Sequence, residues 1–203
     1  LYPVLIHLFT VDLNFVNLSA LIISNVCSAI TALYLYKLAK LEFNEGIAVK
    51  AVLFLSIFPT AYFLTAPYTE SLFFALVIAS FYYARLGKWN LAGSLSLFAS
   101  LTRIAGLLLF PVLLIEYFHQ KNWKIRKPDL NIIWVFPGVA GFLIYLNINN
   151  QVTGNPFTFM AIESTHWNNR LDPWAGLTSA YGWATGATYP DNITIGIAPI
   201  AFA

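Results

Sequence analysis

Charged residues are scarce in this sequence: 10% of its 203 residues are Asp, Glu, Lys or Arg, whereas 59% are hydrophobic. Soluble domains carry about 25% charged residues, so this composition excludes an ordinary soluble domain. The runs 18–36 and 51–69 contain no charged residue, and each is close to the roughly 20 residues that a spanning helix needs. The sequence therefore predicts an all-α fold, a polytopic bundle of transmembrane helices.

Cysteines and the usual site motifs are also scarce or absent. Cys27 is the only cysteine, so the sequence has no disulfide framework. It contains no Gly-rich phosphate loop, no paired Cys/His spacing and no Gly-X-Ser-X-Gly elbow. His7, His119 and His166 lie in three different segments. We therefore predict no metal site, no cofactor and no nucleic-acid partner.

The two ends of the sequence indicate a fragment. The chain opens on LYPVLIHLF, with neither an initiator Met nor the basic region of a signal peptide. It ends on IGIAPIAFA, inside an apolar segment. We expect a single transmembrane domain over residues 1–203, truncated at both ends.

Basic residues orient the predicted helices, because Lys and Arg concentrate in cytoplasmic loops. The basic clusters are Lys37, Lys40 and Lys50; Arg85 and Lys88; and Lys121, Lys124, Arg126 and Lys127. The turn 66–70 between the first two clusters has no Lys or Arg and is expected outside. Segment 130–147 then crosses outward to a long non-cytoplasmic loop, 149–191, in which a short interfacial helix is one possibility. The opening helix, 4–11, is too short to span and is predicted to be interfacial or re-entrant.

The apolar block 91–118 has basic residues at both ends but Arg103 and Gly106 at its middle. Because both of its ends are expected on the cytoplasmic side, the chain must turn back within the block. Its two halves, about 12 residues each, reach about 18 Å, which is short of the roughly 30 Å hydrocarbon core. We predict a broken, re-entrant helix hairpin. The alternative is one long tilted helix with Arg103 facing a neighbour, which would leave four basic residues outside.

Polar residues are expected to converge on the outer face. A cation at membrane depth costs at least about 2.5 kcal/mol unless it is paired or hydrated, so Arg103 needs either Glu70 or a ligand anion. The second half-helix begins directly after Thr102 and Arg103, so its free N–H groups favour an anion there, such as a lipid-linked phosphate. Glu70 also has a purely structural interpretation, because a carboxylate in the first turn stabilises the helix dipole.

The long outer loop contributes further polar and aromatic side chains. Glu163, His166, Trp167, Arg170 and Asp172 all lie in it. His166 and Trp167 have the chemistry of a general acid or base beside a sugar-stacking ring, although such a pair in a loop is more often a packing feature.

Two stretches carry a resemblance to a known family: FPTAYFLTAPYTESLFFAL and KWNLAGSLSLFASLTRIAGLLLFPVLLIEY. Their APYTES and LTRIAGLL motifs resemble those of the GPI mannosyltransferase 2 family (phosphatidylinositol glycan class V), including its prokaryotic relatives. The opening LYP and, more loosely, NPFTFMAIESTHWNNR are also similar to segments of that family. The resemblance covers roughly the first 175 residues of this sequence.

The resemblance implies a membrane enzyme of the glycosyltransferase-C superfamily. Such enzymes take a sugar from a polyprenyl-phosphate donor, usually dolichyl-phosphate mannose, on the non-cytoplasmic side, and they invert the anomeric centre. The main general base would precede Leu1. By the resemblance, Arg103 would bind the lipid phosphate and Glu70 would order Arg103 or an acceptor hydroxyl. The other substrate-binding residues would be Thr102, Tyr68, His166, Trp167 and Arg170.

The resulting hypothesis is a mannosyltransferase-like hexosyltransferase that acts on a glycolipid or glycan acceptor. Its partners would be membrane lipids, the lipid-linked donor and the acceptor. It would lie in the plasma membrane of a prokaryote, or in the endoplasmic reticulum membrane of a eukaryote, where it would serve GPI-anchor biosynthesis. The alternative is a secondary transporter or lipid flippase, since these proteins also use broken helices and intramembrane charges.

Overall fold

The computed structural model describes residues 1–10, 15–123, 130–166 and 181–182; for residues 163–166 it describes the backbone alone. Helices are the only regular secondary structure in these residues. The α-helices are α1 (Tyr2–Phe9), α2 (Val16–Glu42), α3 (Glu45–Ile57), α4 (Glu70–Arg85), α5 (Trp89–Thr102), α6 (Leu109–Gln120), α7 (Pro137–Thr153) and α8 (Thr158–His166). Short 3-10 helices cover Ala61–Leu64, Ile104–Leu108 and Leu130–Val135. The all-α prediction is confirmed. The chain divides into two units, Leu1–Asn147 and Ile148–Ala203, and the single domain over 1–203 stays a prediction.

Two helical segments, Val16–Glu42 and Leu130–Thr153, are long and apolar enough to cross a membrane. The first is α2, whose 27 residues include no Pro or Gly to interrupt the helix. At about 1.5 Å per residue, α2 is roughly 40 Å long, which exceeds the hydrocarbon core of a bilayer. Asn44 starts the next helix, because its side-chain oxygen accepts a hydrogen bond from the Ile47 N–H at 3.0 Å.

The apolar run 51–69 does not form the continuous helix expected from its length. Helix α3 ends at Ile57, and Phe58 is extended, with φ −62° and ψ 140°. Pro59 follows, and a proline disfavours the helical conformation of the residue before it. The chain then continues through the 3-10 helix Ala61–Leu64 and bends to Thr69. Hydropathy therefore predicted the apolar character of this run correctly but not its backbone.

Most of the fully enclosed side chains in the first unit are small or hydroxylic, whereas many of its large apolar side chains face outward. The fully enclosed side chains include Ala48, Ala84, Ala92, Ala99, Ser24, Thr31, Ser71, Ser80, Ser96 and Ser100. By contrast, Phe54 is 67% exposed and Ile57 is 71% exposed. Such close contact through small residues is typical of helix packing in lipid, where large apolar side chains need not be hidden.

Helix α4 packs between α2 and α5 and is the central helix of the first unit. It leads into α5 through a short turn in which Gly87 has φ +71°, a conformation that glycine adopts without strain. The Ser80 hydroxyl donates to the Ala92 carbonyl at 2.8 Å across the α4–α5 pair. A side-chain hydroxyl thus links α4 to α5 near the turn that joins the two helices.

The block 91–118 is broken at Arg103, as the sequence predicts, so it is not one long helix. Helix α5 ends at Thr102, and Arg103 is extended, with φ −146° and ψ 146°. The 3-10 helix Ile104–Leu108 and α6 follow, and Pro111 is tolerated because it lies in the first turn of α6. The chain turns back here, because the ring of Trp89 at the start of α5 lies 5.3 Å from that of Tyr117 near the end of α6. The re-entrant position of this hairpin in a membrane stays a prediction.

In the second unit, α8 lies within the stretch that was predicted as a long outer loop. Gly154 ends α7 with φ +74°, and the Asn155 side chain then accepts a hydrogen bond from the Phe157 N–H at 2.9 Å. The Thr158 hydroxyl donates to the Asn155 carbonyl at 2.9 Å. These bonds form a local turn that leads into the first residues of α8.

Candidate functional site

Arg103 lies at the break between α5 and the 3-10 helix that precedes α6, and its side chain is 41% exposed. Its Nη1 atom forms a salt bridge with Glu70 Oε1 and donates to the Thr69 hydroxyl at 3.3 Å. Of the two pairings that the sequence allowed for Arg103, the structure shows the one with the Glu70 carboxylate. A pair this exposed contributes at most about 1 kcal/mol to folding.

Only one nitrogen of the Arg103 guanidinium is used by the described part of the chain. Neither Nε nor Nη2 has a hydrogen-bond acceptor among those residues. A guanidinium presents five N–H donors in a planar fork, and this fork matches the oxygens of a phosphate or carboxylate. Arg103 therefore keeps donors available for an anion while Glu70 holds one edge of the group.

Arg85 provides a comparison within the same unit, because carboxylates bind both of its terminal nitrogens. Its Nη2 atom lies 2.9 Å from Glu42 Oε1, and its Nη1 atom lies 3.2 Å from both Glu116 oxygens. Gln120 completes this network by donating to Glu116 Oε1 at 2.7 Å and to the Ala84 carbonyl at 2.8 Å. Two carboxylates thus fix Arg85, whereas Arg103 has one, so Arg85 has a structural role and Arg103 is the candidate ligand-binding group.

Glu70 is the first residue of α4, where a carboxylate also stabilises the helix dipole. Its Oε1 atom is bonded to Arg103, but its Oε2 atom is buried and has no hydrogen-bond partner in the described residues. An unsatisfied buried acceptor costs about 1–3 kcal/mol. No protein donor among the described residues offsets this cost at Glu70 Oε2.

Side chains of α1 and α2 hold the segment that carries Glu70. The hydroxyls of Tyr2 and Ser24 are 2.8 Å apart, and Ser24 also donates to the Tyr68 carbonyl at 3.5 Å. Asn25 donates to the Thr65 carbonyl at 3.3 Å. The Thr31 hydroxyl donates to the Cys27 carbonyl of its own helix at 2.9 Å and also lies 3.4 Å from the Ser71 carbonyl. Sequence reasoning missed these residues. The sequence feature that could have identified them is the set of polar side chains within the uncharged run 18–36. Two of these, Ser24 and Thr31, lie two helical turns apart on one face.

Tyr68 and Thr102 lie close to Glu70 and Arg103 in the sequence. Neither side chain has a described hydrogen bond to the Arg103–Glu70 pair. The Tyr68 ring packs edge-on against Phe63 at 5.4 Å and is 48% exposed. The Thr102 hydroxyl donates back to the Phe98 carbonyl of its own helix at 2.8 Å. Thr69, which was not predicted to be a site residue, is the hydroxyl that Arg103 contacts.

The remaining predicted site residues lie at or beyond the limit of what the structure describes. His166 is the last residue of α8, where only the backbone is described, and Trp167 and Arg170 lie outside the described residues. Their roles stay predictions. Among the described residues, no group of three His, Cys, Asp or Glu side chains could hold a metal ion.

Comparisons of this chain with protein-family models, with curated proteins and with solved structures find no match.

Proposed function

We propose that this chain is part of a polytopic membrane glycosyltransferase, one that moves a mannosyl or related unit from a polyprenyl-phosphate donor to a lipid or glycan acceptor. The transfer would take place at the non-cytoplasmic face and invert the anomeric centre. The observation that carries the proposal is the half-exposed Arg103, which lies at a helix break with one edge held by Glu70 and its other donors open.

The membrane part of the proposal is supported by two helices long enough to span and by the distribution of side chains around them. A soluble bundle would bury its large apolar residues. Here the first unit buries many Ala and Ser side chains beside a few large ones such as Leu113, and it exposes large residues such as Phe54 and Ile57. Lipid tails are as apolar as these side chains, so the arrangement suits a bilayer.

The orientation is supported by the distribution of charge between the two ends of the helices. Arg85 bonds to Glu42 and Glu116, so the carboxyl-terminal ends of α2, α4 and α6 lie together. Lys37, Lys40, Lys88 and Lys121 belong to the same end. Arg103 and Glu70 lie at the other end of α4 and α5. Under the positive-inside rule, the basic end is cytoplasmic and the Arg103 end faces the opposite side.

The chemistry of sugar transfer from a lipid phosphate requires a cation at this place. The acceptor oxygen forms a bond to the anomeric carbon while the bond from that carbon to the phosphate oxygen breaks. The acceptor proton passes to a base. Negative charge grows on the departing phosphate, and fixed N–H donors stabilise such charge best where water is excluded. Arg103 would provide these donors.

A reconstitution experiment tests the proposal. The full-length protein is placed in liposomes with radiolabelled polyprenyl-phosphate mannose and a mixed lipid extract as acceptor, and labelled product is extracted and counted. We expect transfer by the wild type and its loss in Arg103→Ala. Lys88→Ala removes a cation from the opposite end of the α4–α5 pair and is the matched control. Label that crosses the bilayer without being transferred would overturn the proposal and indicate a flippase instead.

A further inference from the structure

The unpartnered oxygen of Glu70 points to a second contact with the same ligand. Oε1 is bonded to Arg103, whereas Oε2 is buried and has no donor in the described part of the chain. An ionised carboxylate can only accept hydrogen bonds, so whatever completes Glu70 must bring a donor. Arg103 and Glu70 thus bond to each other, and each has polar atoms that the described part of the chain does not use.

A ligand that satisfies both groups carries an anion and a hydrogen-bond donor one contact distance apart. A lipid phosphate without a sugar supplies only the anion. A sugar 1-phosphate supplies both, because the hydroxyl on C2 is attached to the ring carbon next to the one that bears the phosphate. A hydroxyl bonded to a carboxylate forms a short hydrogen bond, about twice as strong as one between neutral groups.

We propose that Glu70 binds the C2 hydroxyl of the donor sugar while Arg103 binds its phosphate, which makes Glu70 a specificity-determining residue for that ring position. This inference rests on the proposed function, because it takes the ligand of Arg103 to be a lipid-linked sugar phosphate. It adds which part of that ligand Glu70 contacts.

Binding in this way needs little movement of the protein. Since Oε2 is buried, the carboxylate must turn to reach the ligand, and the torsion about its last carbon–carbon bond is broad, so the turn costs little. The phosphate bonds to the Nε and Nη2 donors of Arg103, while one Glu70 oxygen stays on Nη1 and the other accepts from the sugar hydroxyl. Thr69 Oγ1, 3.3 Å from Arg103 Nη1, keeps this edge of the guanidinium in place.

The simpler explanation is that Glu70 only positions Arg103. The two explanations differ in which ligands depend on Glu70. If Glu70 only positions Arg103, its replacement weakens every ligand that carries the phosphate by the same factor. If Glu70 binds the C2 hydroxyl, its replacement weakens only ligands that carry this hydroxyl.

The test measures equilibrium binding of three probes to the full-length protein in nanodiscs: polyprenyl phosphate, polyprenyl-phosphate mannose and polyprenyl-phosphate 2-deoxymannose. We expect Glu70→Gln to weaken the mannose probe about tenfold, because the amide oxygen accepts without the charge that strengthens the bond, and to change the other two probes less than about twofold. We also expect the wild type to bind the 2-deoxy probe about tenfold more weakly than the mannose probe.

Two variants separate the possible failures. Arg103→Ala should weaken all three probes, and if it weakens none, the anion site and the proposed function fail together. If Arg103→Ala weakens all three while Glu70→Gln also weakens all three equally, the proposed function stands and the role of Glu70 at C2 is overturned. Should Glu70→Gln not fold, the wild type still decides, because equal affinity for the mannose and 2-deoxy probes overturns the inference.

Discussion

Trp89 and Tyr117 lie edge to face with their ring centroids 5.3 Å apart, although they stand near opposite ends of the broken apolar block. This contact brings the start of α5 next to the end of α6. Both ends of the block therefore lie beside the Arg85 network, while the break at Arg103 lies at the other end of α4. The contact between these two rings therefore indicates that the candidate site and the Arg85 network lie at opposite ends of α4.

The turn of this hairpin depends on Gly106. A Cβ atom at this position would lie 2.4 Å from the backbone N of Ser100, so any side chain must push the turn away from the end of α5. We expect Gly106→Ala to lower the free energy of unfolding by about 1–3 kcal/mol, as overpacking does.

Gly46→Ala is the matched control for this substitution. The Cβ added there meets its nearest neighbour, Asn44 Oδ1, at 3.4 Å, which is an ordinary contact. Unfolding in detergent, followed by tryptophan fluorescence, should show a large decrease in stability for Gly106→Ala and little change for Gly46→Ala. Equal stability of the two variants would mean that the chain does not turn at Gly106 as described.

The buried hydroxyl of Ser24 should support both stability and activity. It bonds to Tyr2 and to the Tyr68 carbonyl, two residues before Glu70. Ser24→Ala leaves the Tyr2 hydroxyl with one partner fewer and releases the segment that carries Glu70. We expect the free energy of unfolding to decrease by about 1 kcal/mol and sugar transfer to decrease with it.

Ser56→Ala provides the comparison for Ser24→Ala. The Ser56 hydroxyl is exposed, and among the described residues it bonds only to the Val52 carbonyl of its own helix, so its removal should affect neither stability nor transfer. Thermal unfolding and the liposome transfer assay are run on both variants. A loss of activity in Ser56→Ala as large as in Ser24→Ala would show that the Ser24 contacts have no special role.

The proposed topology makes a prediction about which side of the membrane three positions face. In a Cys27→Ser background, Lys88→Cys and Lys121→Cys should react with a membrane-impermeant maleimide from the cytoplasmic side. Thr65→Cys should react from the opposite side. The reason is that Lys88 and Lys121 flank the hairpin at the basic end, whereas Thr65 lies in the segment that leads to Glu70.

Labelling of Lys88→Cys and Lys121→Cys from opposite sides would contradict the re-entrant hairpin, because α5 and α6 together would then cross the bilayer once. Labelling of all three positions from one side would contradict the outer placement of the segment 65–70.

The sequence alone predicted the all-α fold, the break at Arg103 and the two alternative partners of that arginine. These features follow from composition and from the cost of a charge in an apolar run, both of which are local properties of the sequence. The end of α3 at Ile57 was missed because Pro59 lies inside an apolar run, and hydropathy does not register its effect on the backbone.

The contacts that hold the site were beyond sequence reasoning for a different reason. The bonds from Ser24 and Thr31 join α2 to carbonyls on a segment far along the chain, so they exist only once the helices are packed. The unpartnered Glu70 oxygen is likewise a property of three-dimensional packing. Residue types indicate which side chains need partners, and the fold determines which partners they find.

The most direct test of the central claim is the initial rate of mannose transfer at varied donor concentration for wild type, Arg103→Lys, Arg103→Ala and Lys88→Ala. Arg103→Ala should reduce kcat/KM by about 10²-fold or more, as the loss of a transition-state donor does. The kcat/KM of Arg103→Lys should lie between those of wild type and Arg103→Ala, since lysine keeps the charge but not the planar fork. Lys88→Ala should match the wild type. A kcat/KM for Arg103→Ala within about twofold of wild type would contradict a role for this residue at the phosphate and, with it, the proposed site.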